Sequence, residues 1–110
     1  MAKFVTIGYG DRESYDGTPP EIRKAAHAHD KALQNRGALM GIAGQPVQVR
    51  NPLANGPTST KGPFMTSELP VAGFAIIEAE SLDEAIELVS QTPCAVAFGI
   101  VEIWPLIEMT

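Results

Sequence analysis

Hydrophobic residues recur at two different spacings in the first part of the chain. Lys3 to Tyr9 is a short run rich in β-branched residues, which predicts a first strand. The residues that follow at helical spacing predict one buried helix face, formed by Ile22, Ala26, His29 and Leu33. Thr18 as the cap, Pro19 as the first helical residue and Gly37 after the last one predict the bounds of this helix. Asp11 to Gly17 is interpreted as a polar loop.

The second half of the chain supplies two strands separated by a helix, after a short second strand over Ala38 to Ala43. Gly73 to Ala79 holds an unbroken apolar run, which is expected of a central strand covered on both faces. Ser81 starts the second helix and Pro93 stops it. Gly99 to Pro105 predicts the last strand, whose faces carry Val101 with Ile103 and Glu102 with Trp104.

A long excursion separates these two halves. From Gly44 to Pro63 the periodic pattern gives way to Pro, Gly, Asn, Ser and Thr, with one short extended piece predicted over Val47 to Arg50. A segment of this composition offers little apolar surface to bury, and long excursions in small domains are often functional. We therefore expect residues Gly44 to Lys61 to be the most mobile part of the chain and to border a pocket.

The element order, β-α-β followed by β-α-β, predicts an α+β fold of the ferredoxin-like βαββαβ type, with an antiparallel four-stranded sheet in a single domain over residues 1–110. Both helices would cover the same face of the sheet. The opposite face would then expose a large apolar patch to water. Pairing of two sheets face to face removes that patch, so the fold predicts a homodimer.

Charge and composition exclude several classes of partner. The chain has 13 acidic and 8 basic residues, a net charge of −5 and no basic run, which disfavours nucleic acid and acidic membranes. No run of residues approaches the length of a membrane span. The lone Cys94 forms no intrachain disulfide and is expected to be a buried small side chain. Without a signal-peptide pattern, the expected location is the cytoplasm.

Five short motifs follow one another in the second half of the chain: Lys61-Gly62-Pro63-Phe64, Ala72-Gly73-Phe74, Ser81-Leu82-Asp83-Glu84-Ala85, Pro93 and Glu102-Ile103-Trp104-Pro105. In this order they resemble the YCII-related family, and within it the DGPF type. The family order is an Asp-Gly-Pro-Phe turn, a Gly-Gly-Phe strand start, a Ser-x-Asp-Glu-Ala helix, a proline and a last strand with Glu-x-x-Pro. Lys61 stands where the family has Asp, and only Glu68 is charged in the stretch after Phe64.

The resemblance implies a dimeric α+β barrel that binds a small molecule. A few family relatives resemble lyases or dehydrochlorinases that act on aromatic ring metabolites, and most have no assigned reaction. The family often carries a functional histidine on the first helix, and either His27 or His29 matches that position.

Histidine is also the best acid–base candidate on chemical grounds, because imidazole titrates near neutral pH. His29 shares the apolar stripe and is expected to face the interior between helix and sheet, within reach of a polar partner, whereas His27 is expected on the outer face. Residues two apart on a helix point to different sides, so the pair is not predicted to bind a metal. Asp30 could orient an imidazole, although its pattern favours the solvated face.

Two functions of different class remain open. The first is a cofactor-free isomerase or lyase acting on a small polar or aromatic metabolite, with His29 or His27 as the base. Arg50, Phe64 and Glu68 are then the candidate substrate-binding residues. The second is a non-catalytic ligand-binding or accessory protein on the same dimeric scaffold, which the altered residues after Phe64 favour.

Overall fold

The structure is a computed structural model, and it describes residues 1–109. It contains six strands and four helices in chain order: β1 Ala2–Tyr9, α1 Arg12–Asp16, α2 Pro20–Asn35, β2 Leu39–Ile42, β3 Val47–Arg50, β4 Thr58–Lys61, β5 Val71–Ala79, α3 Leu82–Val89, α4 Pro93–Val96 and β6 Ile100–Leu106. Within these residues, no helix is long and apolar enough to cross a bilayer.

Strands β1, β2, β5 and β6 form one four-stranded antiparallel sheet in the order β2-β5-β1-β6. With the helices between them, this is the ferredoxin-like arrangement, so the predicted α+β fold class with a four-stranded antiparallel sheet is confirmed. Gly8 pairs with Gly73, whereas the next residue, Tyr9, pairs with Val71. The additional residue in β5 is Ala72, which forms a bulge at the end of the sheet where β1 finishes.

The two faces of the sheet have different surroundings. Phe4, Ile77 and Ala79 point toward α3 and form the buried core with Ala85 and Val89. The opposite face, which we call the open sheet face, is uncovered and mainly apolar, with Lys3, Glu78 and Glu102 as its charged members. On this face Trp104 is 56% exposed and Phe74 49%. Its apolar members, taken from the strand register, are Val5, Ile7, Leu39, Phe74, Ile76, Ile100, Trp104 and Leu106. The prediction that β5 is covered on both faces is therefore wrong for this chain, because helices lie on one side only.

Helix α1 corrects the expected polar loop. Asp11 accepts a hydrogen bond from the Ser14 backbone N–H at 2.7 Å, which caps a five-residue helix over Arg12–Asp16. The sequence predicted that Thr18 caps the next helix, and this prediction is wrong. The Thr18 hydroxyl donates to the Ser14 carbonyl instead. Pro19 takes the cap position instead, and α2 starts at Pro20.

Helix α3 begins where the sequence predicts and ends earlier. The Glu84 N–H donates to the Ser81 side chain, and the Glu84 carboxylate accepts from the Glu80 N–H. Side-chain and backbone groups therefore satisfy each other at the start of the helix. The helix ends at Val89, and Pro93 is the first residue of α4 rather than the stop of α3. The reason is that proline fits the first turn of a helix as well as it terminates one.

Strands β3 and β4 form a hairpin that is separate from the main sheet. We call residues 46–62 the arm. Val47–Arg50 matches the predicted extended piece, whereas β4 was not predicted. The Gly62 N–H donates to the Pro46 carbonyl at 3.0 Å and closes the base of the arm.

Candidate functional site

A cleft of about 700 Å³ lies between the helices and the helix-facing side of the sheet. Its floor is made of small side chains on neighbouring strands, namely Thr6, Gly8, Gly73 and Ala75. Helix α2 packs mainly on α4, so it stands away from this part of the sheet. Because the floor residues are small and α2 rests on α4, the space between α2 and the sheet stays open. Leu33, Ile77 and Val89 add an apolar inner wall.

Tyr15 of α1 and His27 of α2 both line the cleft and are joined by a hydrogen bond of 2.6 Å between the hydroxyl and Nε2. Their rings meet edge to face, with centroids 5.9 Å apart. His27 is exposed and Tyr15 is half-buried, so the imidazole lies at the mouth of the cleft. The position of Tyr15 depends on α1, whose Asp11 cap fixes the start of that short helix.

Asp30 lies one helical turn after His27 and lines the same cleft. Burial raises the pKa of this carboxyl, while the nearby charges of His27 and His29 lower it. The expectation that Asp30 belongs to the solvated face is wrong, because its side chain is half-buried. Burial likewise raises the pKa of the Cys94 thiol, and the Asp30 carboxylate adds to that shift. Cys94 is half-buried in the wall of the cleft rather than enclosed in the core.

Basic side chains surround the mouth of the cleft. Arg12 of α1 and Lys31 of α2 line it, and both are exposed. The Arg23 guanidinium lies 5.2 Å from the centre of the Tyr15 ring, and its Nε is buried without a hydrogen-bond partner. Arg23, His27 and Lys31 follow one another at four-residue spacing, so they share one ridge of α2.

His29 is placed differently from the prediction. It is half-buried and has a polar partner, as expected, but that partner is the Leu88 carbonyl of α3, at 2.6 Å from Nε2. A carbonyl only accepts hydrogen bonds, so Nε2 donates and its proton is engaged. His29 does not line the cleft, whereas His27, which was expected on the outer face, does. Among residues 1–109, no three His, Cys, Asp or Glu side chains converge as metal ligands.

The three residues predicted to bind substrate lie outside the cleft. Arg50 and Phe64 line a shallower groove of about 280 Å³ at the arm, and Glu68 is an exposed loop residue. No lining residue of the larger cleft falls within Gly44 to Lys61, so the expectation that this segment borders the pocket is wrong for the single chain. Sequence reasoning missed Tyr15, because its helix was interpreted as a loop. The signal that could have found it is Asp11 in capping position before Arg12-Glu13-Ser14.

Comparison with models of protein families shows which family the chain matches. The model of the YCII-related domain matches residues 2–110. The chain belongs to the YCII-related family. This confirms the resemblance found in the second half of the sequence and extends it to the first half.

Comparison with solved structures found a similar chain in the 5-chloro-2-hydroxyhydroquinone dehydrochlorinase of Burkholderia phenoliruptrix AC1100, solved as a complex with 2,5-dihydroxybenzoquinone. The two chains are 19% identical, the match covers 93% of this chain and 92% of that chain, and the TM-score is 0.47. No curated protein matched.

Proposed function

We propose that this YCII-related protein binds a small organic anion in the cleft and transfers a proton on it, with His27 as the acid–base group. The observation that carries the proposal is the Tyr15–His27 hydrogen bond at the mouth of a cleft with an apolar inner wall. Pockets of several hundred cubic ångströms with a few converging polar groups are typical of small-molecule sites. The proposal needs no cofactor.

Three side chains divide the chemistry. Imidazole is the side chain best suited to accept and return a proton near neutral pH. In the tautomer that the proposal requires, the Tyr15 oxygen accepts from the His27 Nε2–H and holds the ring in place, which leaves the Nδ1 lone pair free to take the proton. The Asp30 carboxylate, one turn away, stabilises the imidazolium that forms when a proton is taken up. His29 does not serve as the base, because its side chain is directed to the Leu88 carbonyl of α3 and does not line the cleft.

The basic ridge defines the charge of the ligand. Arg12 and Lys31 line the cleft mouth, and Arg23 has an unused donor nearby. Guanidinium and ammonium groups bind carboxylates and phenolates through charge-assisted hydrogen bonds. A ligand that places its acid group on this ridge would direct its apolar body toward Leu33, Ile77 and Val89.

Binding is tested with benzoate and benzamide, which have nearly the same shape and differ in charge. In NMR titrations, benzoate should change the amide chemical shifts of residues that line the cleft. The affinity for benzamide should be at least about tenfold lower. Lys31→Gln should weaken benzoate binding. Lys24→Gln is the matched control, because Lys24 is an exposed lysine of α2 that does not line the cleft. Equal binding of the two probes would contradict an anionic ligand.

Proton transfer is tested with phenylpyruvate in deuterium oxide. The base breaks one methylene C–H bond, the electron pair passes to the carbonyl oxygen as an enolate, and a deuteron returns to carbon. We expect the protein to accelerate loss of the methylene NMR signal, and His27→Gln to remove most of that acceleration, about a hundredfold. Loss with His29→Gln but not with His27→Gln would reverse the assignment.

A second function, ligand binding without turnover, is favoured by one observation. Lys61 replaces the acidic residue of the family turn, and Arg50, Phe64 and Glu68 lie away from the cleft. Cleft-specific benzoate binding without accelerated exchange on any carbonyl acid tried would support this function over catalysis.

We also propose that the protein is a homodimer. The open sheet face holds several exposed apolar side chains, including Phe74 and Trp104. Glu102, a carboxylate on the β6 side of this face, already accepts hydrogen bonds from the Tyr9 hydroxyl at 2.8 Å and from the Trp104 Nε1 at 3.4 Å. A charge with two donors is less costly to cover than a free one. A second copy of the same face would bury the patch.

A further inference from the structure

We propose that the arm, residues 46–62, docks on the body of a second copy of this chain. The arm forms its own two-stranded sheet, and its strands make their main contacts with each other. Isolated two-stranded hairpins are marginally stable in water, and they usually need a further surface to pack against. The proposal concerns a contact separate from the open sheet face.

The arm displays apolar side chains to solvent. Leu53 at its tip is 91% exposed, Val49 is 69% exposed and Val47 is 57% exposed. Val47 and Val49 are two residues apart on β3 and therefore share one face of the hairpin. Three exposed apolar residues on a single hairpin offer side chains that a protein partner can bury.

The backbone of the tip is held in a conformation that presents Leu53. Leu53 and Ala54 have φ angles of 59° and 58°, in the left-handed region that non-glycine residues rarely adopt. The turn is fixed by Asn51, whose side-chain oxygen accepts the Gly56 N–H at 2.9 Å. Such strain persists where the surroundings maintain it and is concentrated at functional positions.

The base of the arm is also preformed. The Gln48 amide donates to the carbonyls of Gly62 and Pro63, at 3.3 and 3.4 Å. Together with the Pro46–Gly62 bond, these contacts set the direction in which the hairpin leaves the domain. A surface fixed before association loses less entropy when it binds.

Charge identifies the partner as another copy. The arm contains Arg50 and Lys61 and no acidic residue. Since the whole chain carries −5 and the arm +2, the remainder carries −7. A basic arm is attracted to the acidic body of a second copy, whereas nucleic acid or an acidic membrane would be repelled by its own body.

The shape of the chain agrees with an element that reaches outward. The radius of gyration is 16.0 Å, and the principal extents are 52 × 38 × 20 Å. A compact domain of this length has a radius of gyration of about 13 Å. The excess is expected when a hairpin extends beyond the domain to which it is attached.

Subunit exchange between ¹⁴N- and ¹⁵N-labelled protein, followed by native mass spectrometry, tests the proposal. Arg50→Glu with Lys61→Glu should increase the exchange rate about tenfold or more. Lys24→Glu with Arg36→Glu is the matched control, since both are exposed cations of the α2 region and the net change in charge is the same. Equal exchange rates for the two double variants, or a wild-type protein that is monomeric, would overturn the proposal.

Two further variants make the result independent of charge. Replacement of residues 47–61 by Asn-Gly joins Pro46 to Gly62 and should give a folded protein with faster exchange. A photoreactive side chain at the tip, Leu53→p-benzoylphenylalanine, should give crosslinked peptides that combine light and heavy chains in mixed samples. Crosslinked peptides that never combine light and heavy chains, or a subunit exchange rate that does not change when residues 47–61 are replaced, would overturn the arm contact. Neither result would bear on pairing through the open sheet face or on binding in the cleft.

Discussion

At the scale of single residues, Asp30 combines a cost to stability with a proposed role. Its carboxyl is half-buried, and burial raises its pKa above the ordinary value for aspartate. A raised pKa means that the folded state holds the proton more tightly than the unfolded state. The protonated Asp30 carboxyl therefore favours the folded state at pH values below the ordinary pKa of aspartate, and this contribution is lost as the pH rises through the raised pKa. At neutral pH the ionised group destabilises the fold.

Asp30→Asn should consequently raise the free energy of unfolding at neutral pH, by no more than about 1 kcal/mol because the group is partly solvated. The gain should shrink on acidification, as the wild-type carboxyl takes up its proton. Urea unfolding at several pH values measures both effects. Asp16→Asn is the control, since Asp16 is exposed and does not line the cleft. A gain in stability that increases toward acidic pH would contradict the sign.

Gly99 is required by close backbone contacts. A Cβ at this position would lie 2.2 Å from the Tyr9 carbonyl oxygen and 2.7 Å from the Cys94 carbonyl oxygen. Gly99→Ala should cost about 3 kcal/mol or more, because both obstructing atoms belong to the backbone and yield little. Gly44→Ala, which has no atom within 4 Å of its added Cβ, should change the midpoint of thermal unfolding very little. Similar losses for both variants would refute this explanation.

The candidate site was only partly predictable from the sequence. The apolar stripe correctly indicated that His29 faces inward, but a stripe identifies the direction of a side chain and not the element it meets. His29 meets α3, whereas the cleft opens on the side of α2 that faces α1. Since α1 was not predicted, the Tyr15–His27 pair could not be inferred. The half-burial of Asp30 depends on tertiary packing, which has no local signal.

At the scale of elements, local capping signals proved reliable where a side chain and a backbone group satisfy each other. Ser81 starts α3 as predicted, and Gly37 follows α2 with a φ of 105°. Proline signals were less reliable, because Pro19, Pro20 and Pro93 suit both the end of one segment and the start of a helix. Strand β4 was missed because a run of Thr, Ser, Thr and Lys has no apolar alternation.

Ser81→Ala should lower the free energy of unfolding by about 1 kcal/mol, because the Glu84 N–H loses its acceptor. Guanidinium unfolding followed by circular dichroism measures the change. Ser90→Ala at the other end of α3 is the control, since its exposed hydroxyl donates to a carbonyl that water can reach. An unchanged midpoint for Ser81→Ala would show that the cap contributes nothing.

At the scale of the whole molecule, the order of elements was predictable because the strands of the main sheet and the longer helices each show the spacing of hydrophobic residues typical of their type. The sheet order β2-β5-β1-β6 follows from that element order through the ferredoxin-like rule. The path of the arm could not be predicted, since a hairpin without a packing partner in its own chain leaves no hydrophobic pattern that fixes its direction.

Light scattering should give a mass of twice 11.7 kDa at micromolar concentration. The reason is the open sheet face, whose apolar side chains are exposed to water in the single chain. Trp104→Glu, which places a charge on the β6 side of that face, should shift the protein toward the monomer. A wild-type mass of 11.7 kDa would contradict the homodimer.

The paired glycines on the floor of the cleft have a consequence for how this YCII-related scaffold can diversify. A methyl group at Gly8 would meet the Cys94 sulfur at 3.0 Å, and a side chain can rotate away. At Gly73 the same group would meet the Gly41 carbonyl oxygen at 2.7 Å, which belongs to the neighbouring strand. Under the proposed ligand-binding role, the space in the cleft can therefore be reduced by mutation at position 8, while position 73 is closed to change. Relatives adapted to smaller ligands should differ at the first position and keep glycine at the second.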